Sequence, residues 1–182
     1  MDVLAPSIYP RGSPPNVTAQ AAWTASVVSE AIRSANLVGS RRLGAADAAG
    51  AARPRPAVYP YARAFVQGGE VLSRGILAAG IQVAAGLGAE GLVLWGSTED
   101  YAPPHGSCGL VEGALNASGG ALVRGCVRNR AECAARLCSG HGRCVDYSAA
   151  RLEQTCLEDP PASAVRCRCD QGFSGARCEM EG

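Results

Sequence analysis

Seven of the chain's nine cysteines fall in its last fifty residues, and six of them, Cys133, Cys138, Cys144, Cys167, Cys169 and Cys178, form a patterned run. The run closes on CRCDQGFSGARC, a C-x-C-x8-C with Gly172 and Gly175 inside it, and opens on CAARLCSGHGRCV. Cysteines this dense at short spacings mark a small domain held by disulfides and place the chain in an oxidising compartment. Cys138, His141 and Cys144 invite comparison with a zinc site, but metal sites use tighter, paired C-x2-C spacings. Disulfides are the better reading, and no metal or cofactor is expected. Nine is an odd number, so at least one cysteine lacks a partner within this sequence.

Lys+Arg number 17 against Asp+Glu 16, which excludes the electrostatic footprint of a nucleic-acid binder. The most apolar stretch, Gly75 to Gly96, contains Gln82, Glu90 and several glycines. It reads as a helix followed by a strand and not as a membrane span. Met1 to Pro6 has neither a basic n-region nor an apolar h-region, so no secretory signal is visible. A disulfide domain needs export, and the expectation is that an N-terminal part lies outside this sequence.

Before the cysteine-rich segment, apolar periodicity alternates between strand and helix. Val3 to Tyr9 reads as a buried strand. Ala19, Ala22, Trp23, Val27 and Ile32 fall at helical spacings from Asn16 to about Asn36. Ala57 to Val66 reads as a second strand, and Glu70 to about Leu87 as a second helix with Leu72, Ile76, Ala79 and Val83 on one face. Gly91 to Gly96 is continuously apolar between glycines, as a strand buried on both sides of a parallel sheet would be. A third helix fits Ser107 to about Leu122. This order predicts an α/β fold with a parallel sheet or a (β/α) barrel; three βα units are too few to close a barrel.

The cysteine spacing resembles the EGF-like pattern. That resemblance implies the pairs Cys133–Cys144, Cys138–Cys167 and Cys169–Cys178, where sequence alone allows fifteen arrangements. LAPSIYP (Leu4 to Pro10), AVYPYARAF (Ala57 to Phe65), GLVLWGS (Gly91 to Ser97) with Cys108 after it, and CSGHGRCV (Cys138 to Val145) are similar, in order and spacing, to the C-terminal part of animal hyaluronidases. The resemblance implies the last three βα units of a (β/α) barrel over residues 1–125 and an EGF-like module over 126–182. It implies a glycosidase acting on hyaluronan, with chondroitin as a second glycosaminoglycan partner. The acid of that family lies in an Asp-x-Glu motif on an earlier strand, absent from this sequence, so this chain alone is expected to be inactive. The substrate's own acetamido group serves as nucleophile there, an exception to the two-carboxylate scheme.

Three residues carry over to a substrate-binding role. Tyr9 matches the tyrosine ending the P-S-I-Y run and Trp95 the tryptophan of the L-W strand; Gln67 falls where several family members have Asp. Without the resemblance, Tyr9 and Trp95 would read as core aromatics. Cys108 matches a family cysteine whose partner lies near the barrel's start, outside this sequence. Cys126 and Cys156 have no family counterpart, and bonding to each other is one arrangement open to them. The family context implies an extracellular or lysosomal monomer. Asn16-Val17-Thr18 and Asn116-Ala117-Ser118 are glycosylation sequons. A non-catalytic binding protein, with an EGF-like module on a degenerate sugar-binding scaffold, is the rival reading.

The remaining motifs take bland readings. Gly86-Leu87-Gly88-Ala89-Glu90-Gly91 fits G-x-G-x-x-G but ends a helix and enters a strand, the reverse of a dinucleotide loop, so it reads as a turn. Glu99, Asp100, Glu70 and Asp47 read as solvated loop charges. The EGF-like module reads as a structural appendage packed on the barrel, with protein binding as the alternative.

Overall fold

The structure is a computed structural model that describes residues 2–10, 16–43, 55–63, 72–96, 109, 112–113, 116, 119–146, 156 and 162–182. Three parallel chain segments lie side by side in chain order. Strand β1 (Val3–Leu4) pairs with β2 (Ala57–Val58), and β3 (Tyr61–Arg63) pairs with β4 (Val93–Trp95). Ala57, Tyr59 and Tyr61 donate their N–H groups to the carbonyls of Asp2, Leu4 and Pro6, and Ile8 N–H returns a bond to Tyr61. On the opposite side, Glu90 and Val93 donate to Val58 and Pro60.

The expected single strand from Ala57 to Val66 is therefore two short runs, split at Tyr59-Pro60. Proline has no N–H, so the ladder toward β4 loses a rung at Pro60. Val58 N–H also has no strand partner on that side, and the Glu90 carboxylate accepts it at 2.6 Å. Residues 64–66, the rest of the expected strand, lie outside the described residues.

Helix α1 (Val17–Leu43) follows β1, and α2 (Arg74–Gly86) follows β3. Asn16 Oδ1 accepts the Ala19 N–H at 3.0 Å and Ser73 Oγ accepts that of Ile76 at 3.4 Å, each satisfying a donor that a helix start leaves unpaired. The two helices pack through small residues, with Ala21 against Ala79 and Val83. Beneath them, Ile8 and Ala62 of the sheet meet Val28 and Ala84. Gln20, buried in α1, donates Nε2 to the Ile8 carbonyl (2.8 Å) and to Thr24 Oγ1 (3.1 Å), fixing the segment that leads into Tyr9.

The glycine-rich turn after α2 is a helix exit. Gly88 takes φ +85°, which only glycine adopts without strain. At Gly91 a Cβ would lie 2.5 Å from Cε1 of Tyr59. Gly91→Ala is expected to cost about 1–3 kcal/mol through overpacking, read as a lowered urea midpoint.

A further helix, α3, spans Gly120–Leu137 and overlaps the end of the expected Ser107 to Leu122 helix; within that range residues 109 and 112–113 are also helical, and most of the others lie outside the described residues. Its buried positions are Leu122, Cys126 and Cys133, one helical face on which two cysteines serve as core residues. It passes without a break through residues 125 and 126. Beyond it, β5 (Gly142–Asp146) and β6 (Val165–Cys169) form an antiparallel ladder, and β7 (Phe173–Ser174) pairs with β8 (Met180–Glu181). The bonded cysteines are Cys133–Cys144, Cys138–Cys167, Cys169–Cys178 and Cys126–Cys156. Cys133, Cys138, Cys144 and Cys178 form the core of this segment, with Leu137, Val165 and Phe173 around them. His141 lies exposed in the turn before β5, its ring stacked on Phe173. No described helix is long and apolar enough to cross a membrane.

Candidate functional site

Parallel strands that start together end together, and the residues at their carboxyl ends converge. Arg63 ends β3 and Trp95 ends β4, and the two are register partners. Tyr9 directly follows Ile8, whose N–H is bonded to Tyr61. The alternation is sharp: Ile8 is 1% exposed and faces the helices, whereas Trp95 is 43% exposed. An indole so open to water contributes little to the core, so its placement needs another reason.

The Tyr9 and Trp95 rings lie 6.0 Å apart at 10° between planes. Their near-parallel, offset arrangement is a favoured aromatic geometry. The Arg63 guanidinium carbon sits 6.0 Å from the Trp95 ring centroid, at the outer range of a cation–π contact. The result is an aromatic surface with a permanent positive charge beside it. Such a surface can pack against the C–H face of a sugar ring, hydrogen-bond through the phenol, and attract a carboxylate.

Of the residues named from sequence, Tyr9 and Trp95 are brought together here. Gln67 and Cys108 lie outside the described residues, as do Asp47, Glu70, Glu99 and Asp100. Asn16 and Asn116 are exposed. Sequence reading passed over Arg63; the parallel pairing of β3 with β4 is what puts it beside Trp95. It also passed over Glu90, which joins three donors from separate parts of the chain. Glu90, only 8% exposed, accepts Val58 N–H and guanidinium donors from Arg55 and Arg168. Burial, then the nearby Arg55, pulls the Arg168 guanidinium down to about 10, still protonated at neutral pH. No cluster of three or more metal-ligating side chains occurs among the described residues.

An exposed indole, a half-buried phenol and a cation meet at the carboxyl ends of adjoining parallel strands, which is where α/β barrel proteins build their sites. Residues 2–171 match the sequence model of hyaluronidase. The chain belongs to the hyaluronidase family. It is 33% identical to hyaluronidase-3 of Sus scrofa over 97% of this chain and 40% of that protein. To hyaluronidase conohyal-P1 of Conus purpurascens it is 29% identical, over 69% of this chain and 30% of that one. Among solved structures, bee venom hyaluronidase in complex with a hyaluronic acid tetramer superposes with TM-score 0.52 at 28% identity, covering 68% of this chain and 35% of that chain. The chain thus spans well under half the length of these relatives.

Proposed function

We propose that the Tyr9–Arg63–Trp95 surface is part of a hyaluronan-binding cleft, and that the chain contributes the last three βα units of a glycosidase barrel. The cysteine-bonded segment after about residue 125 is its EGF-like module. The observation that carries this reading is the exposed Trp95 ring, paired with Tyr9 and Arg63 at the strand ends, in a member of the hyaluronidase family. Hyaluronan alternates uncharged and carboxylate-bearing sugars, so a flat aromatic patch beside a guanidinium fits both halves of its repeat. Gln67 is assigned to the same cleft.

The sequence contains no Asp-x-Glu triplet to serve as the family's acid. General acid catalysis contributes about 10²–10⁴-fold, so the 182-residue chain by itself binds and does not cleave. Substrate-binding without turnover is also what the rival reading, a glycan-binding protein, requires; both place the sugar on the same rings. The setting is the secretory pathway, ending outside the cell or in the lysosome, with a monomeric protein, glycans on Asn16 and Asn116, and Cys108 bonded to a cysteine outside this sequence.

Titrating the purified chain with hyaluronan tetrasaccharide in a calorimeter, which needs no tryptophan as reporter, tests this directly. Saturable binding is expected, with Trp95→Ala weakening it at least tenfold, about 1.4 kcal/mol, while the melting temperature holds. A chondroitin tetrasaccharide in parallel sets the preference. Absence of binding, or full affinity in Trp95→Ala, defeats the reading; release of reducing ends by the pure chain defeats its inactivity.

A further inference from the structure

Arg168 occupies an unusual place on β6. The residues on either side, Cys167 and Cys169, are disulfide-bonded to Cys138 and Cys178, so its backbone is held on both flanks. Its guanidinium leaves this segment and enters the glycine-rich turn between α2 and β4. There Nη2 donates to the Gly88 carbonyl and to Glu90 Oε1. The turn is shaped for it: a Cβ at Gly88 would come within 3.3 Å of the Arg168 guanidinium and 3.1 Å of Val145.

Glu90 passes the contact on. Its carboxylate accepts Val58 N–H at 2.6 Å, and its own N–H donates to the Val58 carbonyl at 3.0 Å. Val58 and Glu90 are thereby locked as neighbours at the start of two parallel strands. Arg63 and Trp95, register partners at the far end, each lie five positions further along. The pairing fixed at Val58–Glu90 is the pairing that aligns Arg63 with Trp95. Pro60 removes a rung between the two points, so the lock at the start carries more of the alignment.

We infer that Arg168 is a positioning residue: seated in the Gly88–Glu90 turn, it sets the register of the two strands that carry Arg63 and Trp95. The disulfide-bonded segment then controls the geometry of a binding surface at the other end of the sheet. This rests on the reading of that surface as the sugar site, but the two fail separately.

The experiment uses the full chain with Trp23→Phe, so that Trp95 is the sole reporter, at a temperature well below the melt. Arg168→Leu is expected to shift Trp95 emission in the free protein and to weaken hyaluronan tetrasaccharide binding at least fivefold. Arg168→Lys keeps one charged donor and is expected to recover part of both. Phe173→Ala loosens the same segment away from the turn and is expected to leave Trp95 emission unchanged. If Arg168→Leu does not fold, Gly88→Ala crowds the same seat with the charge retained and should move emission the same way. Unaltered emission and affinity in Arg168→Leu, or an equal shift in Phe173→Ala, overturns the inference. A parent chain that binds no tetrasaccharide refutes the sugar reading alone, since Trp95 emission still reports the register.

Discussion

A chain carrying Cys138→Ser together with Cys167→Ser is expected to lose about 3–4 kcal/mol from its C-terminal segment, enough to unfold it at physiological temperature. The disulfide joins residues 29 apart, against 11 for Cys133–Cys144 and 9 for Cys169–Cys178. It therefore removes more freedom from the unfolded chain than either of those two, and about as much as Cys126–Cys156, which joins residues 30 apart. Nothing apolar stands ready to compensate. The core there is Cys133, Cys138, Cys144 and Cys178 themselves, with Leu137, Val165 and Phe173 only partly buried around them. Small domains with cores of this kind depend on their cross-links. Limited trypsin digestion with mass analysis checks the effect: Arg143, Arg166 and Arg168 should become early cleavage sites in the double variant and resist in the parent. Removing Cys169–Cys178 instead should cost about 1 kcal/mol less on the same loop-entropy argument. Equal protection of all three arginines in the Cys138/Cys167 variant would show that packing, not cross-linking, holds the segment.

Much of this fold could be read locally and much of the site could not. The helix beginning after Asn16 and the strand before Trp95 follow from patterns a few residues long: a capping side chain, an apolar period, bounding glycines. Tyr9 and Trp95 were legible as a pair only through resemblance to a family, because nothing in either neighbourhood says that the other is close. Arg63 was not legible at all; its proximity to Trp95 is a property of parallel register, which joins residues far apart in sequence. The extent of α3 is less legible. Gly119 and Gly120 lower helix propensity where it begins, and cysteines read first as disulfide partners, whereas Cys126 and Cys133 also lie on the buried face of Gly120–Leu137. Gly88 and Gly91 read as turn residues from sequence, but the reasons for them, an arginine from far along the chain and the Tyr59 ring, are tertiary. Glu90 gives no signal for the same reason: its role in the Gly88–Gly91 turn depends on Arg55 and Arg168, which are far away in sequence.

Those partners set the other large effect. Glu90→Leu is expected to destabilise the chain by about 3–5 kcal/mol, the scale for removing one member of a buried ion cluster. The substitution leaves the Arg55 and Arg168 guanidiniums, 26% and 18% exposed, without the carboxylate both contact. It also leaves Val58 N–H without its acceptor beside the gap that Pro60 makes in the ladder. The charged form of Arg168 is already disfavoured by burial and by Arg55, with Glu90 an attraction that offsets them in part, so loss of Glu90 leaves two like charges facing each other. Glu90→Gln should cost less, since an amide oxygen still accepts from Val58 while the charge is gone. Urea unfolding of the parent and the two variants measures the order, with Leu below Gln below Glu. A third variant separates charge from shape: replacing Arg55, Glu90 and Arg168 together by Met, Leu and Met removes every ion at once. Desolvation no longer opposes folding in that chain, so it should regain much of the stability lost by Glu90→Leu alone. If the triple replacement is instead as unstable as the single one, the directional hydrogen bonds to Val58 and Gly88, and not charge balance, are what the three residues contribute.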